Sequence, residues 1–151
     1  MLLLRQIVVA VDGSESSQEA LNFAVELAGQ SYAALTGVFV IDGGWPDYIG
    51  NDWQSSKGAR QQFLDYIRIE QEQQSEVARL QFEKAAEIID KRCFTILAGD
   101  PTEVLISKAN AIDTDVLVVS QRIFQVSGRP GLRMLGKRLA AKATRPLTLF
   151  P

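Results

Sequence analysis

The chain has 151 residues, of which 46% are hydrophobic and 23% charged, and a formal net charge of −2. That length suits one domain around a single core, and the charge balance gives no global reason to expect nucleic acid or a membrane as partner. With no histidine and one cysteine, Cys93, the sequence excludes Ser-His-Asp triads, Cys-His pairs, His-ligated metal sites, thiolate zinc cages and intramolecular disulfides.

The N-terminus, MLLLRQIVVAVDG, is apolar but is interrupted too early by Arg5 and Asp12 to read as a signal peptide. No apolar run approaches the ~18 residues of a membrane helix, so a cytoplasmic protein is expected. Gln6 to Val11 is a β-branched run of the kind that forms a central strand buried on both faces, and it ends at Asp12-Gly13-Ser14. Ser16 and Glu19 have capping-box spacing. Ala20, Leu21, Ala24, Val25 and Ala28 then recur at helical intervals, with Gly29 as the expected stop. Ala34 to Ile41 reads as a second strand.

Residues 42 to 58, DGGWPDYIGNDWQSSKG, have no clean period and read as an irregular loop. Its tryptophans, Trp45 and Trp53, either fold back over the edge of the core or form a contact surface. From Arg60 to Arg92 the chain is polar, with Phe63, Ile67, Val77, Leu80, Ala85 and Ile88 at near-helical spacing; this predicts one long amphipathic helix or a broken pair. Phe94 to Ala98 is a third strand. Asp100 is a good N-cap, Pro101 suits the first helical position, and Val104, Leu105, Lys108, Ala109 and Ile112 continue that helix. Asp115 to Val119 is a fourth strand and residues 120 to 131 a loop. Leu132, Leu135, Leu139 and Ala143 mark a helix, and Pro146 to Phe150 a last strand.

Alternating strands and helices predict an α/β domain: an open, doubly wound parallel sheet of five strands, helices on both faces, joined by right-handed crossovers. Ligands of such sheets bind at the carboxyl ends of the strands. The segments to inspect are therefore Asp12 to Ser14 and the chain from Ser120 onward. Ser120 to Pro151 carries seven basic residues and no acidic one, leaving nine basic and eighteen acidic residues elsewhere. Such a run is either an anion site or a solvated face.

Gly131, Gly136 and Lys137 stand at the spacing of a phosphate-cradling P-loop. The expected strand ends about a dozen residues too early, bulky side chains lie between the glycines, and Arg138 replaces the hydroxyl residue that would hold Mg²⁺. Leu132, Leu135 and Leu139 instead form a helical stripe.

IVVAVDGSESSQEAL (7–21), LTGVFVID (35–42), ILAGDPTEVLISKA (96–109), DVLVVS and the closing RPLTL together resemble the universal stress protein family, over nearly the whole chain. The resemblance implies a single universal stress protein-like domain over residues 1–151, strand order 3-2-1-4-5 as in adenine-nucleotide alpha hydrolase-like folds, and a homodimer through the last strand at Leu147 and Leu149. Many members of the family bind ATP or AMP and others do not. In those that do, an aspartate after the first strand and a valine at the end of the second contact adenosine; Asp12 and Val40 match them, and both also suit plain scaffold roles. The phosphates are held by G-x-x-G, nine residues, then G followed by Ser or Thr. Counted back from Pro146 without gaps, these positions fall on Ser120, Ile123, Arg133 and Met134, so glycine and hydroxyl are absent. Glycine serves there because a side chain keeps backbone N–H groups off the phosphates. Arg122 and Arg133, with Gln121 in the same loop, leave open a binding mode built on side chains.

The leading expectation is a non-enzymatic stress-response protein acting through contacts with a protein partner of unknown identity, its nucleotide site degraded and no cofactor required. The alternative is a sensor of ATP, AMP or another anionic metabolite in the crevice between strands one and four. Weak ATP hydrolysis is disfavoured by the missing hydroxyl and histidine. Nucleic-acid binding is disfavoured because few aromatics interleave the basic residues. Cys93 is expected to be structural.

Overall fold

The computed structural model describes residues 3–53, 58–125 and 128–151. Five strands, β1 (Gln6–Ala10), β2 (Ala34–Asp42), β3 (Arg92–Gly99), β4 (Val116–Ser120) and β5 (Leu147–Phe150), form one parallel sheet in the order β3-β2-β1-β4-β5. Val9 pairs with both Gly37 and Val118, so β1 is central. Ile7, Val8, Val9 and Ala10 are accordingly all buried, which is why the run is apolar without alternation. The helices α1 (Glu15–Ser31) and α3 (Ala59–Ala85) cover one face; α4 (Pro101–Ala109) and α5 (Leu135–Lys142) pack together on the other.

Local signals are shifted in three places. The N-cap of α1 is Ser14, whose Oγ accepts from the Ser17 N–H, instead of the Ser16 box. The helix also runs past Gly29, because Tyr32 takes a left-handed conformation (φ 56°) and closes the end by donating its N–H to the Ala28 carbonyl. Within the 42–58 stretch a short helix, α2 (Trp45–Ile49), starts with Pro46 in its first turn, where a missing N–H costs nothing. Trp45 and Trp53 both fold onto Phe63, each with ring centroids 6.0 Å apart, and tie α2 to the start of α3. Residues 54–57 of that stretch lie outside the described residues.

Of the stretch expected to be helical over 60–92, one helix forms but ends at Ala85, a turn and then β3 from Arg92 follow, and the helix faces differ from the expectation. Phe63, Ile67 and Ala85 are half-buried, whereas Val77, Leu80 and Ile88 point to solvent. The face against the sheet carries Gln71, Ser75, Ala78 and Phe82. Phe82 packs directly on Gly37 of β2, where a Cβ would lie 2.5 Å from its ring. In α4, Asp100 caps as the sequence suggests, accepting from the Glu103 N–H at 3.1 Å.

Candidate functional site

The strands end on one side of the sheet, and β1 and β4 diverge there into α1 and the β4–α5 connection. Asp12 follows β1 and is buried. Its Oδ1 accepts from the N–H and Oγ–H of Ser14, and its Oδ2 accepts from the Phe124 N–H at 2.9 Å. Both oxygens are thus engaged within the chain. Phe124 reaches this point in a left-handed conformation (φ 62°), uncommon for a bulky residue. Its ring packs edge-on against Phe39 of β2 at 5.4 Å. Ile123 and Phe124 are fully buried, as are Val40 and Ser120, and the Ser120 Oγ accepts from the Arg122 N–H. Where the chain leaves β4, Ile123 and Phe124 thus turn inward, next to the end of β1.

A second closure lies one strand over. Asp42, at the end of β2, is a buried carboxylate with its side chain 1% exposed. Its Oδ2 accepts from the Arg129 backbone N–H at 3.0 Å and from Arg129 Nε at 2.8 Å, while its Oδ1 accepts from the Gly44 N–H. The far guanidinium nitrogen of Arg129 reaches Asp100 at 2.7 Å. Arg129 therefore bridges the ends of β2 and β3 and pins the β4–α5 segment across them. Gly44 lets the guanidinium lie against the backbone, and a Cβ there would push it aside. Burial works against charge on both groups, but the hydrogen bonds and charges within the trio outweigh it. The Asp100 carboxyl is held below the ordinary range by the Glu103 N–H and Arg129, and Arg129 is held above its ordinary value by Asp42 and Asp100.

Glutamines of α3 complete the scaffold. Gln71 both donates to and accepts from the backbone of Asp42. Gln74 donates to the Asp12 carbonyl, and Gln81 accepts from the Gly13 N–H and donates to the Ser14 carbonyl. These amides satisfy backbone groups that strand ends otherwise leave open.

Of the residues singled out by sequence, the structure places Asp12, Val40, Ser120 and Ile123 in the interior. It gathers Gln121, Arg122, Arg133 and Met134 at the surface, where with Lys137 they line an open cavity of about 430 Å³. Among the described residues, no carboxylate lies within ion-pairing distance of Arg122, Arg133 or Lys137. Gly136 and Lys137 lie inside α5, where Gly136 lets the helix approach Gln121 closely, so no phosphate loop forms there. Sequence reasoning reached Asp100 only as an N-cap and assigned no site role to Arg129, Asp42 or Phe124. The one signal for them was Asp42 followed by two glycines at a strand end. Among the described residues no group of acidic, cysteine or histidine side chains could hold a metal, and no helix is long and apolar enough to cross a membrane.

No curated protein matches the chain by sequence. The model of the universal stress protein family matches residues 4–144. Among solved structures, a universal stress protein in complex with cAMP superposes with a TM-score of 0.67 at 19% identity, covering 99% of this chain and 98% of that one. The universal stress protein UspA from Lactobacillus plantarum gives 0.69 at 18% identity, covering 97% of each chain. The universal stress protein from Archaeoglobus fulgidus in complex with dAMP gives 0.61 at 19% identity, covering all of both chains. These likenesses show the shared fold, and the match of the family model over nearly the whole length shows the kinship: the chain belongs to the universal stress protein family.

Proposed function

We propose that this protein is a non-enzymatic member of its family that acts through protein contacts, its nucleotide crevice closed by its own chain. The observation that carries the reading is the Asp12 carboxylate, taken up by the Phe124 N–H and Ser14, with Ile123 and Phe124 fully buried beside it. A ligand entering between β1 and β4 would have to break those hydrogen bonds and displace a packed aromatic ring. The absence of histidine from the sequence supports a non-enzymatic role. A homodimer through β5 is part of the proposal: β5 is an edge strand whose Leu147 and Leu149 are only half-buried. Residence in the cytoplasm is part of it too, consistent with a single exposed thiol, Cys93.

Thermal unfolding with ATP and with AMP, each with and without Mg²⁺, tests the closed crevice. A ligand at 100 times its Kd stabilises by about 2.7 kcal/mol. A clear upward shift at millimolar nucleotide, or nucleotide released on denaturing the purified protein, would overturn the reading. Sizing the wild type against variants with charges at Leu147 and Leu149 tests the dimer; a wild type that runs as a monomer refutes it.

One observation favours a second reading, an anion sensor. Arg122, Arg133 and Lys137 line the surface cavity, and no aspartate or glutamate side chain lines it. The relatives bound to cAMP and dAMP make adenylates the first anions to try. Loss of binding in Arg133→Ala, with Asp12→Asn unchanged, would place an anion in that outer cavity and not in the crevice.

A further inference from the structure

The helix α3 exposes four large apolar side chains on the side where a surface helix is ordinarily polar, with Gln73 between them and Lys84 beyond them on the same arc. Tyr66, Ile69, Val77 and Leu80 are 58%, 45%, 48% and 56% exposed. At 3.6 residues per turn they fall within an arc of about 80°. The residues it buries, Gln71, Ser75, Ala78 and Phe82, lie roughly opposite. Half of that buried face is polar, and its glutamine and the neighbouring Gln74 and Gln81 are spent on the backbone at the ends of β1 and β2. The inward positions are therefore explained by the fold; of the outward stripe, Val77 covers Gly13 with one methyl, and Tyr66, Ile69 and Leu80 remain about half exposed. Four large apolar side chains in line on one surface mark a contact face.

The charges around the stripe indicate what covers it. Alongside, on the same face of the sheet, α1 exposes Glu15, Glu19 and Glu26 and carries no basic residue. α3 itself adds Asp65 and Glu70, while its Glu72, Glu76 and Glu83 are held in ion pairs with Arg68, Arg79 and Arg92. Of its four basic residues, Arg68 and Arg79 are paired with Glu72 and Glu76, and Arg60 turns back to the carbonyls of Gly50 and Pro46. Lys84 remains. A second copy stacked across a two-fold axis on this face would set the glutamates of one α1 against those of the other. Anionic lipid would meet the same repulsion.

We propose that the outer face of α3 docks a basic amphipathic helix of another protein, with Tyr66, Ile69, Val77 and Leu80 against its apolar side and the carboxylates of α1 and α3 against its lysines and arginines. This is recognition of a helix through apolar anchors at i, i+3 and further turns. The inference rests on the reading of a protein that acts by contact. Peptide binding and nucleotide-induced stabilisation are separate measurements, so either can fail alone.

The test uses a labelled peptide of about five helical turns, built of leucine and lysine with leucines at i, i+3, i+4 and i+7. Its binding to the whole protein is followed by fluorescence anisotropy and mapped by amide shifts. Expected is a complex weakened by salt, with shifts concentrated on α3 and α1. Ile69→Ser with Leu80→Ser should weaken it by about tenfold or more, while the protein stays folded by circular dichroism at the assay temperature, since both side chains are about half exposed. Ile112→Ser, an exposed position beyond α4 on the other face of the sheet, should leave it unchanged. The same peptide with glutamate for lysine should not bind. Binding that ignores the stripe substitutions, or no binding by the lysine peptide, overturns the proposal. So does self-association that Leu80→Ser abolishes while charges at Leu149 do not, because a second copy would then be the occupant.

Discussion

Replacing Arg129 by alanine tests whether the β4–α5 segment is held down by its guanidinium. Breaking a buried ion pair by removing one partner costs about 3–5 kcal/mol where nothing compensates. Here Asp42 keeps the N–H groups of Gly44 and of residue 129, which lowers the cost. The arm to Asp100, whose side chain is 40% exposed, contributes no more than about 1 kcal/mol. The charge-assisted bond from Nε to Asp42 supplies about 1.5–3 kcal/mol, giving a loss of about 2–3 kcal/mol in total. For a chain of this size that lowers the unfolding temperature by roughly 5–10 °C. Urea unfolding at neutral pH, followed by tryptophan fluorescence and circular dichroism, reads the loss as a lower midpoint at unchanged slope. Arg129→Lys should fall between, because an ammonium lacks the planar fork that spans both carboxylates. A loss below about 0.5 kcal/mol, typical of an ordinary surface substitution, would show that Arg129 is solvated and not a latch.

Asp115 accepts from the N–H groups of Arg5 and Gln6, at 2.7 and 2.9 Å, and these hold its carboxyl below the ordinary range. A carboxyl lowered on folding contributes stability above its unfolded value that is lost as pH falls through the folded one. Asp115→Asn should therefore cost about 1–2 kcal/mol at pH 7, with the gap to wild type closing in urea titrations as the pH falls below the ordinary carboxylate value; a gap that stays constant down to that range refutes it. Asp100 has the same sign, and Arg129→Ala should be less acid-sensitive than wild type for that reason. Gly37→Ala forces a Cβ to within 2.5 Å of the Phe82 ring and should destabilise by about 1–3 kcal/mol by chemical denaturation. Phe124→Ala removes a buried ring packed on Phe39 and should cost about 3–5 kcal/mol; a change under 1 kcal/mol in the same assay would mean the ring is not packed into the core.

The sequence by itself determined the architecture. Apolar β-branched runs too short for helices, each bounded by a turn and followed by helical spacing, leave a parallel sheet as the way to bury strands on both faces. Asp100-Pro101 likewise fixed a helix start through local chemistry. What periodicity could not reveal was which side of α3 faces inward. Val77 and Leu80 look like core residues until the sheet is assembled, and only then do Gln71, Gln74 and Gln81 meet the open backbone groups at its strand ends. The state of the crevice was equally a tertiary matter. The missing glycines suggested a site without its phosphate cradle, but the pairing of Asp12 with Phe124 spans 112 positions of sequence. Arg129 and Asp42 are 87 apart. A hydrogen bond between residues so distant is set by the strand order and the path of one connection, and neither leaves a periodic trace in the chain.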